Sequence, residues 1–314
     1  MHIYITKRLL LIIPIVFGVI VIVFFILGFA PGDPGRLMLG MNAPQEAVDR
    51  LNEELGLNDP FLTRFFRYIK DLSRGDFGIS YRSRQPVFDD IMASLPVTLK
   101  LSFATMTTTI LIGIPLGVLA AVRQYSRMDV ISTFTALLLA AAPAFWLALM
   151  MILLFSLKLG WLPPTGPGGP SHYVMPVLTQ SLVYAGAILR MTRSSMLESV
   201  RQDYVRTARG KGAPERRVIW RHAIRNALLP VITTSGIYFS GMLGGTIVIE
   251  QVFGLPGMGT LIIKAIMMRD IPQVMAVTIF ISAMFSLIML VVDLLYAFVD
   301  PRIKARFASV RWRS

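Results

Sequence analysis

Asp293 is the residue whose position most directly suggests chemistry, because this acid lies inside a long apolar stretch near the carboxyl end. An ionised carboxylate at mid-membrane costs roughly 2.5–3.5 kcal/mol on the insertion scale, so an acid in such a stretch is a candidate proton or ion site. The alternative is a structural role, in an ion pair with a neighbouring Arg or a hydrogen bond to the backbone. The position of Asp293 near the end of its stretch favours the structural role.

Residues for other kinds of chemistry are sparse in this sequence. The three histidines, His2, His172 and His222, are too scattered to indicate a metal centre, and the chain has no cysteine. We find no G-x-x-x-x-G-K-[ST] phosphate loop, no Ser/His/Asp set and no dinucleotide fingerprint. The sequence therefore predicts no catalytic residue, metal or cofactor on this chain. If ATP drives the protein, ATP and Mg²⁺ are expected on partner subunits.

The composition predicts an all-α integral membrane protein. With 54% hydrophobic residues, 16% charged residues and a mean hydropathy of +0.64, the chain is too apolar for an ordinary soluble domain. A signal peptide is the alternative for the first apolar run, but that run is longer than a signal's apolar region. Six transmembrane helices are predicted, at residues 9–30, 101–122, 130–157, 173–189, 227–249 and 274–299.

The segment between the first two predicted spans, residues 31–98, is polar, with 10 acids and 8 bases between Asp33 and Asp90. Two apolar stripes at helical spacing predict a small helical subdomain outside the membrane. The first stripe is Ala47, Val48, Leu51 and Leu55; the second is Phe61, Leu62, Phe65, Phe66 and Ile69.

A long basic segment, residues 202–230, interrupts the later spans. Residues 200–211 suit a short helix, Gly212 can adopt the left-handed conformation that ends it, and Pro214 suits the first turn of a second helix. The second helix is amphipathic, with a basic face and an apolar stripe. Such a helix either rests on anionic lipid head groups or docks into a groove on a partner protein. The basic face is Arg217, Arg221 and Arg225, and the apolar stripe is Ile219, Trp220, Ala223, Ile224 and Ala227.

The distribution of Lys and Arg predicts the orientation. If the amino terminus is cytoplasmic, 19 of the 31 bases lie on the cytoplasmic side, and the outer bases are balanced by acids. Both termini are therefore predicted to be cytoplasmic. A net charge of +13 would suggest nucleic acid binding in a soluble protein, but the apolar spans that flank the basic segment argue against a nucleic-acid partner.

The basic segment also carries a family resemblance. DYVRTARGKG (residues 203–212) and VIWRHAIRNALLPVI (residues 218–232) resemble the cytoplasmic coupling loop of ABC-importer permeases, most closely the first permease subunit of the dipeptide, oligopeptide, nickel and glutathione group. GDFGISYRSRQPV (residues 75–87) and EQVFGLPGMG (residues 250–259) resemble the same group. The second of these leads into a predicted short helix at the outer face, where a binding protein would dock; Glu250 could instead merely cap that turn.

This resemblance implies the type I ABC importer permease fold and an ATP-driven permease subunit in the inner membrane. Dipeptides or oligopeptides are the leading substrate class, with nickel, glutathione or another small solute as alternatives. The implied partners are a second, homologous permease, two ATP-binding subunits, an extracytoplasmic solute-binding protein and the lipid bilayer. The implied division is 1–30 (start and first span), 31–98 (outer subdomain), 99–300 (permease core with its coupling loop at 190–226) and 301–314 (cytoplasmic tail).

Alignment of the coupling loop on Gly212 places Arg206, Thr207 and Ala208 at the family's Glu-Ala-Ala element, of which only Ala208 matches. The rival interpretation is an ion-coupled secondary transporter that uses Asp293; one shallow carboxylate and the lack of an evident inverted repeat argue against it. The residues that the resemblance assigns to ATPase coupling are Asp203, Arg206, Thr207, Ala208, Gly212, Pro214, Arg217, Arg221 and Asn226.

Overall fold

The computed structural model describes residues 2–28, 33–40 and 42–299, and this part of the chain is built from helices. Its only extended pairing is a single bridge between Ile79 and Pro86. The predicted tail, residues 301–314, lies outside the described residues. The helices are α1 (His2–Gly28), α2 (Pro34–Leu39), α3 (Gln45–Glu54), α4 (Phe61–Ser73), α5 (Val87–Val122), α6 (Arg127–Ala141), α7 (Ala144–Met151, extended by a π-helical turn, Ile152–Lys158), α8 (Ser171–Val200), α9 (Asp203–Gly210), α10 (Glu215–Arg217, extended by a π-helical turn, Val218–Ala223), α11 (Ile224–Gly245), α12 (Ile247–Val252), α13 (Met258–Met267) and α14 (Ile271–Val299).

Several of these helices are long and apolar enough to cross a membrane. Among the described residues there are four such helices, and a fifth span if the bent pair of α6 and α7 crosses as one. The fifth predicted span corresponds to α11, a continuous helix of 22 residues that is not among these candidates. Four or five of the six predicted spans therefore correspond to candidate spans in the structure. The count of six stays a prediction. The four candidate helices are Leu9–Gly28, Val87–Val122, Ser171–Val200 and Ile271–Leu294.

The third predicted span, residues 130–157, is not one straight helix. Helices α6 and α7 meet at an angle of 103°. Pro143 starts the second helix without a backbone N–H to donate, and Ala142 before it has an extended ψ of 132°. The ring of Pro143 disfavours a helical conformation at Ala142, so the chain turns there.

Two helices extend well beyond the predicted boundaries. Helix α5 begins at Val87 and has 36 residues, so its first turns lie in the segment that was predicted to be polar and outside the membrane. Asp89 and Asp90 in its first turn stabilise this start, because acids favour the positive end of the helix dipole. Helix α8 has 30 residues and continues through Pro176 at its sixth position, because membrane helices tolerate a proline when neighbouring groups satisfy the backbone.

Helices α5 and α8 form the largest helix pair in the core. They approach closely at Gly113 and Gly117: a Cβ on Gly113 would lie 2.8 Å from Ile188, and one on Gly117 would lie 2.6 Å from Thr192. Around α5 and α8 pack α6 and α11, and α14 packs against α1 and α11.

The segment between α1 and α5 contains the expected helices, with α4 packed against α1. Phe24 of α1 lies 5.2 Å from both Phe61 and Phe65, measured between ring centroids, in edge-on geometry. Leu62 and Phe66 of the same predicted stripe are 65% exposed. The aromatic face of α4 is therefore divided between a contact with α1 and an exposed surface.

Candidate functional site

Helix α9 lies on the rest of the protein through a single apolar face. Val205 is fully buried and Ala208 is half-buried on that face, whereas Asp203, Arg206 and Thr207 are exposed. Thr207 donates its hydroxyl proton to the carbonyl of Asp203 at 2.9 Å, which leaves its side chain on the outer face. The exposed face of α9 therefore presents charged and hydroxyl groups, and its buried face anchors it.

Beneath α9 lies a group of apolar residues that we call the coupling cluster. It joins α9 to the carboxyl-terminal ends of α5 and α8 and to the helical segment that begins at Glu215. Because interiors are close-packed, a displacement of α9 must displace these partners. The buried members are Val118, Ala121, Met196, Val205, Val218, Ile219, Ala223 and Ala227.

A hydrogen-bonded link reinforces the coupling cluster. The Ser199 hydroxyl donates to the carbonyl of Ala223 at 2.7 Å and also lies 2.6 Å from the Tyr204 hydroxyl. Ser199 is the penultimate residue of α8, and Tyr204 is on α9. The last turn of α8 is thus tied both to α9 and to the start of α11.

The turn after α9 depends on a left-handed residue, as predicted. Gly212 has φ of +76°, its N–H donates to the carbonyl of Arg209 at 2.9 Å, and Ala213 N–H donates to the carbonyl of Ala208 at 3.2 Å. Glycine adopts this conformation without the penalty that a Cβ brings. Pro214 stands immediately before α10 rather than in its first turn.

An ion pair that the sequence did not predict closes this turn. Arg209 donates to both oxygens of Glu215, through Nε at 3.1 Å and a terminal nitrogen at 2.6 Å. The hydrogen bonds from Arg209 hold the pKa of the Glu215 carboxyl below its usual value. The spacing of six residues across a Gly-Ala-Pro turn is what brings the two groups together.

This pair predicts a small, pH-dependent contribution to stability. A carboxyl whose folded-state pKa is lowered stabilises the fold above its unfolded pKa, and that contribution is lost as pH falls through the lower, folded-state value. Because the side chains of Arg209 and Glu215 are 39% and 56% exposed, we expect less than about 1 kcal/mol. Glu215→Gln should lower the thermal stability of the purified protein slightly at neutral pH, and the difference from wild type should vanish in acid. Glu198→Gln, at an exposed glutamate of α8, is the control; a difference that grew in acid would contradict the assignment.

The basic helix after Gly212 differs from its prediction at one residue. Ile219, Ala223 and Ala227 are buried as expected, but Trp220 is 50% exposed and Val218 is buried in its place. Residues 218–223 form a π-helical turn, in which residues i and i+5 lie on one side, so Val218 lies beside Ala223. The expected basic residues Arg217, Arg221 and Arg225 are exposed, as is Asn226.

A buried ion pair connects α6 to α8. Arg193 donates through Nε to Asp129 at 2.6 Å and through a terminal nitrogen at 2.9 Å, and the Asp129 side chain is only 5% exposed. The N–H of Tyr125 also donates to Asp129 at 2.9 Å. Nothing local in the sequence indicated a partner 64 residues away.

Glu250 caps the start of α13, as the simpler alternative expected, and also accepts hydrogen bonds from two other groups. It is fully buried at 0% exposure, and its carboxylate accepts the Thr98 hydroxyl at 2.6 Å, the Thr246 hydroxyl at 2.9 Å and the Thr260 N–H at 3.0 Å. A Cβ on Gly257 would lie 2.4 Å from this carboxylate. Glu250 thereby joins α12 to α5 and α13.

Asp293 is half-buried on α14, a helix that continues to Val299. Its depth in the membrane stays a prediction. Within the described ranges, no three His, Asp or Glu side chains converge as metal ligands.

Comparison with known proteins identifies the family. Residues 113–305 match the family described as binding-protein-dependent transport system inner membrane component, and residues 1–102 match the amino-terminal part of such membrane components. The chain belongs to this family. It is therefore an inner membrane permease component of a binding-protein-dependent transport system.

Curated relatives cover almost the whole chain. The glutathione transport system permease protein GsiC of Escherichia coli (strain K12) is 40% identical over 301 residues, which is 96% of this chain and 98% of the relative. The dipeptide transport system permease protein DppB of Alkalihalophilus pseudofirmus is 38% identical over 329 residues, covering 96% and 99% of the two chains.

Solved structures share the fold at much lower identity. A chain of the methionine ABC transporter MetNI in an inward-facing conformation has a TM-score of 0.53 at 17% identity, over 67% of this permease and 96% of that chain. A chain of an amino acid ABC transporter crystallised with histidines has a TM-score of 0.51 at 16% identity, over 68% and 94%. The permease thus has the fold of ABC transporter membrane subunits.

Proposed function

We propose that this permease forms half of the translocation pathway of an ATP-driven importer and that α9 with its turn at Gly212 is the contact for the ATPase subunits. The observation that carries the proposal is the coupling cluster, which joins an exposed polar helix to the ends of two candidate spans. In this arrangement six helices cross the membrane, both termini are cytoplasmic, and residues 31–98 lie outside.

Coupling would proceed through contacts already described. An ATPase that closes on ATP would displace α9 through its exposed residues Asp203, Arg206 and Thr207. Val205 would transmit the displacement into the coupling cluster, and Ser199 would transmit it to the start of α11. Packed elements of this kind move between discrete arrangements, which is how an importer exposes its pathway alternately to the two sides.

The partners follow from the family description, which specifies transport that depends on a binding protein. We infer a second permease, two ATP-binding subunits that carry ATP and Mg²⁺, and an extracytoplasmic solute-binding protein. Purification of this chain from its native membrane in a nucleotide-trapped state, followed by mass spectrometry, tests the inference. Recovery of a second permease and two ATPase chains is expected. Recovery of a stable chain alone would overturn it.

The substrate class that we infer is a short peptide. The relatives at 40% and 38% identity are named for glutathione and dipeptide transport, and both solutes are small peptides with free carboxylates. Uptake of a labelled dipeptide by the complete importer, in competition with glutathione and with nickel, distinguishes the candidates. Competition by nickel alone would contradict the peptide assignment.

Asp293→Asn separates this proposal from ion-coupled transport. A carboxylate that carries a coupling ion cannot be replaced by a neutral amide, whereas an acid with a structural role near the end of α14 tolerates the isostere better. We expect uptake driven by ATP to stay within about twofold of wild type, because the energy source lies on other chains. Uptake that falls to background while ATP hydrolysis continues would support the ion-coupled alternative.

A further inference from the structure

The basic face of the segment after Gly212 has no acidic partner within the described ranges. Arg217, Arg221 and Arg225 are all exposed, and none of them takes part in an ion pair there. Trp220 projects beside them with half of its surface exposed. Three cations and an indole ring therefore share one open surface, which we call the basic face.

The charges on α9 are arranged differently. Arg209 is paired with Glu215, and Arg206 lies 3.8 Å from Asp203. The exposed surface of α9 is thus of mixed sign, whereas the basic face is of one sign. A surface of uniform positive charge suits a partner that presents several anions.

The segment that carries the basic face contacts the ends of two candidate spans. The carbonyl of Ala223 is 2.7 Å from the hydroxyl of Ser199, one residue before the end of the span Ser171–Val200. Ala121, one residue before the end of the span Val87–Val122, belongs to the same cluster as Ala223. The segment that carries the basic face therefore starts beside the ends of two helices that are long and apolar enough to span a membrane.

We propose that the basic face is a binding site for the head groups of anionic phospholipids in the adjoining leaflet. Guanidinium groups bind phosphate in a bidentate manner, and Arg near an anionic membrane surface gains affinity from the local potential. An exposed Trp at the same level inserts its apolar ring among the lipids and keeps its N–H at the interface. Since this segment connects α9 to α11, the bound lipid would hold the end of the coupling element at the membrane surface.

The test compares two variants that lose equal charge. Arg217→Gln, Arg221→Gln and Arg225→Gln are combined in one variant; the control combines Lys70→Gln, Arg74→Gln and Arg82→Gln, three exposed bases between α4 and α5 or at the end of α4. Each purified complex is incubated with phosphatidylglycerol or phosphatidylcholine, and retained lipid is counted by native mass spectrometry. Wild type and control should prefer phosphatidylglycerol. In the basic-face variant the preference for phosphatidylglycerol over phosphatidylcholine should be at least about tenfold lower than in wild type, because each Arg near an anionic surface contributes to binding.

Additional variants and competitors distinguish the possible outcomes of this test. Single Gln variants, each expected to lose preference several-fold, serve if the triple variant does not assemble. The triple Lys variant keeps the charge but loses the bidentate contact, so it should retain only part of the preference. Unchanged phosphatidylglycerol preference in the triple Gln variant would overturn the proposal. Equal displacement of the lipid by inorganic phosphate would assign the site to free phosphate, and loss of ATPase chains with lipid retained would assign it to a protein contact; either overturns the lipid site. Lipid counting needs no transport, so its outcome is independent of the importer function.

Discussion

Glu250→Ala is expected to destabilise the permease more than any other single substitution considered. The carboxylate accepts from Thr98, Thr246 and the backbone of Thr260, and its removal leaves three buried donors without an acceptor. Each such donor costs roughly 1–3 kcal/mol, so the total loss should exceed about 3 kcal/mol. Against the 5–15 kcal/mol that is typical of folded domains, this is a large fraction.

The measurement is the thermal stability of the purified complex, followed by size-exclusion chromatography after heating. We expect the midpoint for Glu250→Ala to fall by on the order of 5–10 °C. The midpoint for Glu250→Gln should be intermediate. The amide nitrogen of Gln is itself a donor, so it cannot accept the hydrogen bond that the carboxylate oxygen accepted at that position. Glu198→Ala, at an exposed glutamate, should have almost no effect. A midpoint for Glu250→Ala equal to that of the Glu198 control would show that the three contacts do not stabilise the protein.

Gly212→Val is expected to uncouple ATP hydrolysis from uptake. Gly212 has φ of +76°, and a β-branched residue is strongly disfavoured in that region. No atom lies within 4 Å of a Cβ built at Gly212, so the effect comes from backbone strain and not from a clash. Relief of the strain would shift α9 relative to α10. A strain of about 1–2 kcal/mol corresponds to roughly a tenfold loss of the coupled conformation.

The same position supplies the control. Asn tolerates the left-handed region far better than Val does, so Gly212→Asn should retain most of the coupled uptake. The quantity to measure is the number of solute molecules imported per ATP hydrolysed in reconstituted vesicles. Equal ratios for the Val and Asn variants would show that the left-handed turn is not needed for coupling.

The parts of the fold that follow from a local sequence pattern could be predicted. Apolar length predicted α1, α5, α8 and α14 because twenty or so apolar residues have few alternatives to a membrane helix. The 103° bend between α6 and α7 was not predicted, although Pro143 is visible in the sequence, because many membrane helices accommodate a proline without turning.

The sequence predicted the turn at Gly212 in the candidate site, but it predicted the packing of the site less well. Gly212 was identified correctly because its left-handed conformation follows from its residue type and context. The prediction that Trp220 lies on the buried apolar stripe was wrong, because a π-helical turn changes which residues share a face. No local sequence pattern predicts such a turn. The partners of Asp129 and Glu250 are distant in the sequence, and a single sequence does not state which distant groups meet. The roles assigned to α9 and its turn stay predictions.

The most direct test of the central claim is solute uptake into vesicles that contain this permease with or without its partner chains. Dipeptide uptake should require the second permease, the two ATPase chains, the binding protein and ATP together, and should be unaffected when the ion gradient is collapsed. Uptake by this chain alone on an ion gradient, without ATP, would contradict the account and would return Asp293 to the centre of the mechanism.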